Sequence, residues 1–220
     1  SWGISTRLIG AVILSHGDKN GLKIPPKIAP IQIVLIPIFR GSEQKKIVKD
    51  YVKNIEFELK QNELRYLVDW SDSSPGFKFN EWELKGVPLR IEIGPRDINE
   101  NKIIIARRDN GKKLSIFRSA LIKNLKNILD EIQNNMFQQA KNFRDEHTHF
   151  VNDYNEFKKI IKEGGFVRCG WDGNQETEKK VKEETKATIR CIPFDENIKN
   201  LTCIFSGKSA KHEVIYAKAY

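Results

Sequence analysis

The chain has 220 residues and a mass of 25.5 kDa, room for one large domain or two modest ones and too little for a multidomain machine. With 39% hydrophobic and 10% aromatic residues it can build a core, which excludes a disordered or low-complexity polypeptide. Its 38 Lys and Arg against 29 Asp and Glu leave +9, a bias towards an anionic partner such as nucleic acid, and residues 1–150 hold most of the excess.

Residues 8–14 are apolar and partly β-branched, and this pattern predicts the last strand of a sheet. A turn at His16-Gly17-Asp18-Lys19-Asn20-Gly21 and a linker stiffened by Pro25-Pro26 are expected after it. Neither this run nor Ile33 to Ile38 approaches the roughly 20 residues that cross a bilayer, so no membrane partner is expected. Arg7 ahead of an apolar run imitates a signal peptide, but no small-residue cleavage site follows. The opening Ser1-Trp2 reads instead as a piece of something longer. Ile31 to Ile38 predicts a strand covered on both faces. Ser42 is the expected N-cap of a helix, with Glu43 in its first turn and Ile47, Tyr51, Ile55 and Leu59 recurring along it as far as Asn62. Leu64 to Trp70 then completes a β-α-β unit.

Ser71 to Gly76 is turn-forming, and Phe77 to Lys85 predicts a short helix with Phe77, Trp82 and Leu84 among charges, broken by Gly86-Val87-Pro88. Leu89-Arg90-Ile91-Glu92-Ile93 alternates as a half-buried strand should. Ile103 to Ala106 and Leu114 to Phe117 flank Asp109-Asn110-Gly111-Lys112, a strong hairpin signal. Ser119 to about His147 reads as one long amphipathic helix with Leu121, Leu125, Leu129, Ile132, Met136 and Phe143 on its apolar face. Composition changes near Phe150, and a small α+β unit is expected beyond it. It comprises a helix through Tyr154, Phe157, Ile160 and Ile161 stopped by Gly164-Gly165, a strand from Phe166 to Cys169 and a charged helix over 175–186. A strand from Thr188 to Pro193 and two strands around Ser206-Gly207-Lys208 complete it.

Chemistry-bearing signals are few. There is no Walker A loop, no Gly-x-Gly-x-x-Gly, no Gly-x-Ser-x-Gly and no His-Glu-x-x-His. Cys169, Cys191 and Cys203 are too sparse for a disulfide framework and point to a reducing compartment, the cytoplasm. His147 and His149 sit at the end of the long helix, where cationic side chains suit the dipole, and read as structural. Cys169 and Cys203 with Asp172 and His212 lack the paired spacing of a zinc site. The stretch from Phe79 to Arg90 is more informative, because it sets carboxylates, an aromatic and basic groups on a short helix and the next strand. A carboxylate accepts from a guanine edge, an arginine donates to guanine acceptors, and a ring stacks an unpaired base. A solvated helix face with Trp82 in the core is the bland alternative. Arg96, Arg107, Arg108, Lys112 and Lys113 could form one basic surface for a phosphate backbone.

Several long motifs carry a family resemblance over the whole chain. Ser1 to Gly10, then Ser15-His16-Gly17-Asp18 and Leu22 to Pro30, resemble motif 3 and the exit from the catalytic domain of prolyl-tRNA synthetases of the eukaryote- and archaea-like type. Phe79 to Arg90, Gly94-Pro95-Arg96-Asp97 and the ending Tyr216-Ala217-Lys218-Ala219-Tyr220 extend it. The resemblance implies three regions: residues 1–30 as the end of a class II catalytic domain with a linker, 31–148 as an anticodon-binding domain, and 149–220 as a small α+β zinc-binding-like domain. The second would be a mixed five-stranded sheet with flanking helices. It implies ATP contacts at Ser5 and Arg7, with Trp2 and Gly3 near a proline pocket. It also implies an anticodon set of Glu83, Arg90, Arg96 and Lys112. Where zinc-bearing relatives have four cysteines, this chain has Cys169, Asn174, Cys203 and Ser206, so zinc is expected to be absent. Motifs 1 and 2 are missing, and the fragment alone is expected to be inactive. The whole enzyme would be a cytoplasmic homodimer using ATP with magnesium, proline and the proline tRNA. The competing reading is a freestanding, non-catalytic tRNA-binding or regulatory module.

Overall fold

A computed structural model describes residues 3–218. In chain order its elements begin with α1 (Arg7–His16), β1 (Ile33–Pro37), α2 (Gly41–Gln61), β2 (Tyr66–Val68), α3 (Pro75–Leu84) and β3 (Leu89–Ile93). They continue with α4 (Pro95–Asn99), β4 (Lys102–Arg107), β5 (Lys113–Phe117), a 3-10 turn (Arg118–Ala120) and α5 (Leu121–Glu146). The remainder are β6 (Thr148–Phe150), α6 (Tyr154–Glu163), β7 (Phe166–Trp171), α7 (Gln175–Thr185), β8 (Ala187–Cys191) and β9 (His212–Lys218). The chain divides into two units, Ser1–Ala140 and Lys141–Tyr220.

The first unit is built on a sheet ordered β2-β1-β3-β4-β5. Strand β1 runs parallel to β2 and β3, whereas β3, β4 and β5 are successively antiparallel, which gives the mixed five-stranded sheet that the resemblance implied. Apolar residues alternate to both faces of β1. Ile33 and Leu35 join Val52 and Ile55 of α2 and Leu125 and Ile132 of α5, while Val34 and Ile36 meet Trp82 of α3 and Val87. Each such side chain taken fully out of water stabilises by roughly 1.5–3 kcal/mol. The Asn-Gly hairpin forms as read, with Gly111 at φ +70°.

In the second unit the sheet order is β6-β7-β9-β8, with β6 parallel to β7 and the other pairs antiparallel. Its core centres on Phe157 of α6 and Tyr216 of β9, whose rings meet edge to face at 5.3 Å. Helix α6 starts on the Asp153 carboxylate, which accepts from the Asn155 and Glu156 amides, and ends at Gly164 with φ +99°.

Several expectations need correction. Residues 8–14 are helical rather than a strand: they lie in α1, none of whose residues is buried, and a short apolar run has no period that separates the two states. Arg40 rather than Ser42 caps α2, and its buried stripe is Val48, Val52, Ile55 and Leu59. Ile47 is exposed, since a strict four-residue repeat drifts off a 3.6-residue turn. Strand β3 is covered on both faces, not one, and therefore buries Glu92 as well as its apolar residues. Phe143 projects from α5 into solvent and stacks on His147 at 4.0 Å. Within 203–216 only β9 is a strand, residues 203–208 forming a tight turn in which the Cys203 amide donates to the Lys208 carbonyl. Finally, α4 and β6 are too short to show a period, although Pro95 in the first turn and the Asp97 carboxylate accepting from the Gly94 amide mark the start of α4.

Candidate nucleic-acid interface

Helix α3 begins at Pro75, two residues before the expected start at Phe77, because the Ser74 hydroxyl accepts from the Phe77 amide and Pro75 occupies the first turn. Its inner face is anchored by Trp82, whose indole N–H donates to Asp69 Oδ2 at 2.7 Å. The buried Lys78 ammonium donates to the Asp69 carbonyl at 2.9 Å and lies 3.6 Å from Oδ1. Burial works to raise the Asp69 pKa, but hydrogen bonds from Ser71 and Trp82 and the Lys78 charge outweigh it and hold the carboxyl below its ordinary value.

With that face fixed, the outer end of α3 and the start of β3 frame a pocket of about 250 Å³ lined by Trp82, Glu83, Arg90, Arg108, Gly111 and Lys113. Arg90 lies over the Phe79 ring at 4.2 Å and donates to Glu92 Oε1 at 3.2 Å, and Lys113 Nζ stands 2.8 Å from the same carboxylate. Two cations thus share one buried anion beside an aromatic face, which leaves a net positive wall. Glu83 stands in the same pocket as an acceptor, its Oε1 receiving the Asn20 side-chain amide at 3.0 Å. Donors and an acceptor therefore converge on one space large enough for a planar base edge.

The basic surface expected from sequence is smaller than the count of bases suggests. Arg107 donates to both Asp109 oxygens, at 3.0 and 2.9 Å, and to Glu131 at 2.8 Å. Arg108 donates to both Asp18 oxygens, at 3.0 and 2.7 Å, and through Nε to the Glu83 carbonyl. Both guanidiniums are therefore neutralised, a correction to their assignment as phosphate ligands. Lys112 is exposed in the hairpin turn next to Gly111, at the pocket rim. Arg96 is also exposed, with Glu100 3.4 Å away, but on α4 it lies past the end of β3 opposite to Arg90. The structure thus brings Glu83 and Arg90 together, sets Lys112 beside them and leaves Arg96 apart. Sequence reasoning missed Asn20, Asp18 and Glu92, none of which carries a local signal for this pocket.

At the other candidate positions, Arg7 is the exposed first residue of α1, not part of a strand, and the Ser5 carbonyl accepts from the Leu8 amide. Gly3 is exposed, and Trp2, like Ala219 and Tyr220, lies outside the described residues. Cys169 and Cys203 are buried, and burial, with smaller contributions from Cys203 and Glu213, pushes the Cys169 thiol up to about 12. Asn174 caps α7 through the Glu176 amide, and Ser206 donates to Asp172 Oδ2 at 2.7 Å, with Thr177 at 3.0 Å from the same oxygen. Among the described residues no group of three or more His, Cys, Asp or Glu side chains could hold a metal ion. The set Cys169, Asn174, Cys203 and Ser206 does not fit a zinc ion, since its amide and hydroxyl are poor ligands already engaged with neighbouring groups. The His147 ring nitrogen lies 2.7 Å from the Phe143 carbonyl, an ordinary helix-end contact, and His149 stands in β6. No helix of the described residues is long and apolar enough to cross a membrane.

Two family models match the chain: an anticodon binding domain over residues 32–128, and the C-terminal region of prolyl-tRNA synthetase over residues 154–220. Among curated relatives, a protein of Roseiflexus sp. (strain RS-1) is 47% identical over 224 residues, covering 100% of this chain and 46% of its own length. A protein of Porphyromonas gingivalis (strain W83) is 46% identical over 221 residues, again across the whole chain and 45% of its own length. One from Amoebophilus asiaticus (strain 5a2) is 44% identical over 222 residues with the same coverage. All three are named proline–tRNA ligase. The chain spans just under half the length of these relatives.

Proposed function

Since the chain belongs to the prolyl-tRNA synthetase family, we propose that its first unit reads the anticodon of a proline tRNA and that the whole protein is a proline–tRNA ligase. The observation that carries the reading is the convergence of Glu83 and Arg90 on one pocket inside the anticodon-binding match. Glu83 accepts from the amino and imino groups of one guanine, Arg90 donates to the acceptors of another, and Phe79 and Trp82 supply flat apolar surface. Lys112 at the rim, and Arg96 on its separate surface, meet phosphates.

In the whole ligase, proline and ATP form prolyl-adenylate, and the prolyl group is then esterified to the 3' end of the tRNA. Arg7 and Ser5 contribute to holding ATP, a guanidinium fork being suited to phosphate oxygens. Gly3 contributes to the proline pocket of the whole enzyme, which works in the cytoplasm as a homodimer. Full-chain similarity to proteins named as ligases supports this reading over a freestanding tRNA-binding module. This chain alone does not activate proline.

The deciding measurement is the sign of one effect. Glu83→Ala removes a negative charge beside an anionic ligand, so simple electrostatics predicts tighter binding to every RNA. Base reading predicts binding weaker by about 1–3 kcal/mol to a proline anticodon hairpin and little change for a hairpin lacking its guanines. Fluorescence anisotropy with both RNAs at fixed salt separates the two, and uniformly tighter binding would overturn the assignment.

A further inference from the structure

We infer that Asn20 is a positioning residue for base discrimination, aiming the Glu83 carboxylate from a turn 63 residues away in sequence. The inference rests on the guanine-reading role of Glu83. It begins with the turn itself. The Asn20 amide donates to Asp18 Oδ1 at 2.9 Å, and Asp18 and Gly21 exchange backbone hydrogen bonds, so residues 18–21 close on themselves and fix where Asn20 points.

That turn is seated on the C-terminal end of α3. The Leu22 amide donates to the Leu84 carbonyl at 2.9 Å and the Ile24 amide to the Gly86 carbonyl at 3.1 Å. The approach is so close that a Cβ on Gly21 would lie 2.6 Å from the Leu84 oxygen, and one on Gly86 equally close to the Leu22 backbone. Both glycines also have positive φ, at +126° and +74°. Beside this contact Asp18 grips Arg108 through two hydrogen bonds, and Arg108 donates to the Glu83 carbonyl.

Glu83 is thereby held twice, at its backbone by Arg108 and at its carboxylate by Asn20. A neutral amide is well suited to the second task. It occupies one acceptor direction of Oε1 and leaves Oε2 and the full negative charge for a guanine edge. It also restricts the rotamers of a half-buried glutamate side chain before RNA arrives, so less entropy is lost on binding. Asn20 acts only through Glu83, which separates a positioning role from a general structural one.

The test uses the 220-residue chain with a proline anticodon hairpin and the same hairpin carrying adenine in place of the two guanines. Asn20→Ala is expected to weaken the guanine hairpin about three- to tenfold and to leave the adenine hairpin and the salt dependence unchanged. Asn20→Asp, which sets a second carboxylate against Glu83, should weaken it further. In the Glu83→Ala background Asn20→Ala should have no additional effect. Equal loss on both hairpins, or additive losses in the double variant, would overturn the role. If Glu83→Ala keeps wild-type discrimination, the base reading falls and the positioning role with it. If Glu83→Ala abolishes discrimination while Asn20→Ala preserves it, the Asn20 role alone falls. Unchanged thermal midpoints for the single variants confirm that the readout is binding.

Discussion

The two units treat their buried and half-buried arginines differently. In the first, Arg107 uses Nε and both terminal nitrogens on Asp109 and Glu131, and Arg108 uses the same three on the Glu83 carbonyl and Asp18. In the second, Arg168 reaches Asp195 and Glu213 only through its terminal nitrogens, and its buried Nε has no partner among the described residues. Between Arg107 and Arg168 the difference lies in where the acceptors come from. Asp109 follows two residues after Arg107 in the hairpin and presents its carboxylate side-on to the guanidinium fork. Glu213 lies on β9, the strand paired with β7, and meets Arg168 end-on across the sheet. A fully used fork costs more to break, because each polar group left buried without a partner loses its hydration as well as its bond.

Asp109→Ala should show the largest effect. It strips Arg107 of two bonds and Asn135 of an acceptor 2.6 Å away, at a site where the Asp109 side chain is fully buried. The expected loss is about 3–5 kcal/mol in urea unfolding of the first unit. A loss no greater than that from Glu213→Ala in the second unit would contradict the contrast.

Conservative replacement separates the two units further. A lysine cannot reproduce a three-point fork, so Arg107→Lys should cost about 2 kcal/mol, whereas Arg168→Lys should cost less than about 1 kcal/mol because Nε goes unused. Hydrogen exchange of the β4 and β9 amides reads the two units separately, and equal loss of protection would erase the distinction.

The smallest effect is one of pH. The Arg108 hydrogen bonds hold the Asp18 carboxyl well below its ordinary value, burial opposing them and Lys23 and Asn20 assisting. Because the folded-state pKa is depressed, this stabilisation is present above the ordinary value of about 4 and is lost as pH falls below it. Asp18→Asn should therefore lower stability by about 1 kcal/mol at neutral pH and flatten part of the decline below about pH 4, measurable as thermal midpoint against pH. An acid limb identical to that of the unsubstituted chain would show that the Asp18–Arg108 contact does not form.

Much of the fold is legible in local stretches of the chain. The strand of Ile31 to Ile38, the Asn-Gly hairpin, the helix stopped at Gly164 and the charged helix over 175–186 follow from signals within a few residues of themselves. Glu83 and Arg90 stand out because Phe79 to Arg90 mixes acceptors, donors and rings in a pattern unlike a plain helix face. Asn20 does not, since nothing within its own turn reveals a carboxylate 63 positions away. Arg107 and Arg108 mislead for a related reason: their charge is visible in sequence, whereas one of the carboxylates that cancel it lies 90 residues distant.

The order and type of most elements, the β-α-β unit, the turns and a family resemblance that spans the chain are thus written in the amino-acid sequence. They depend on side-chain periodicity and backbone preference, which act over one or two turns of chain. Packing in three dimensions was needed to settle that residues 8–14 form α1, which face of α2 is buried, that β3 is covered on both sides, and which of the five basic candidates are neutralised. Burial and ion pairing are properties of what meets in space. Arg107 is bonded to a carboxylate two residues away and Arg108 to one ninety residues away, because the fold delivers each in the right orientation.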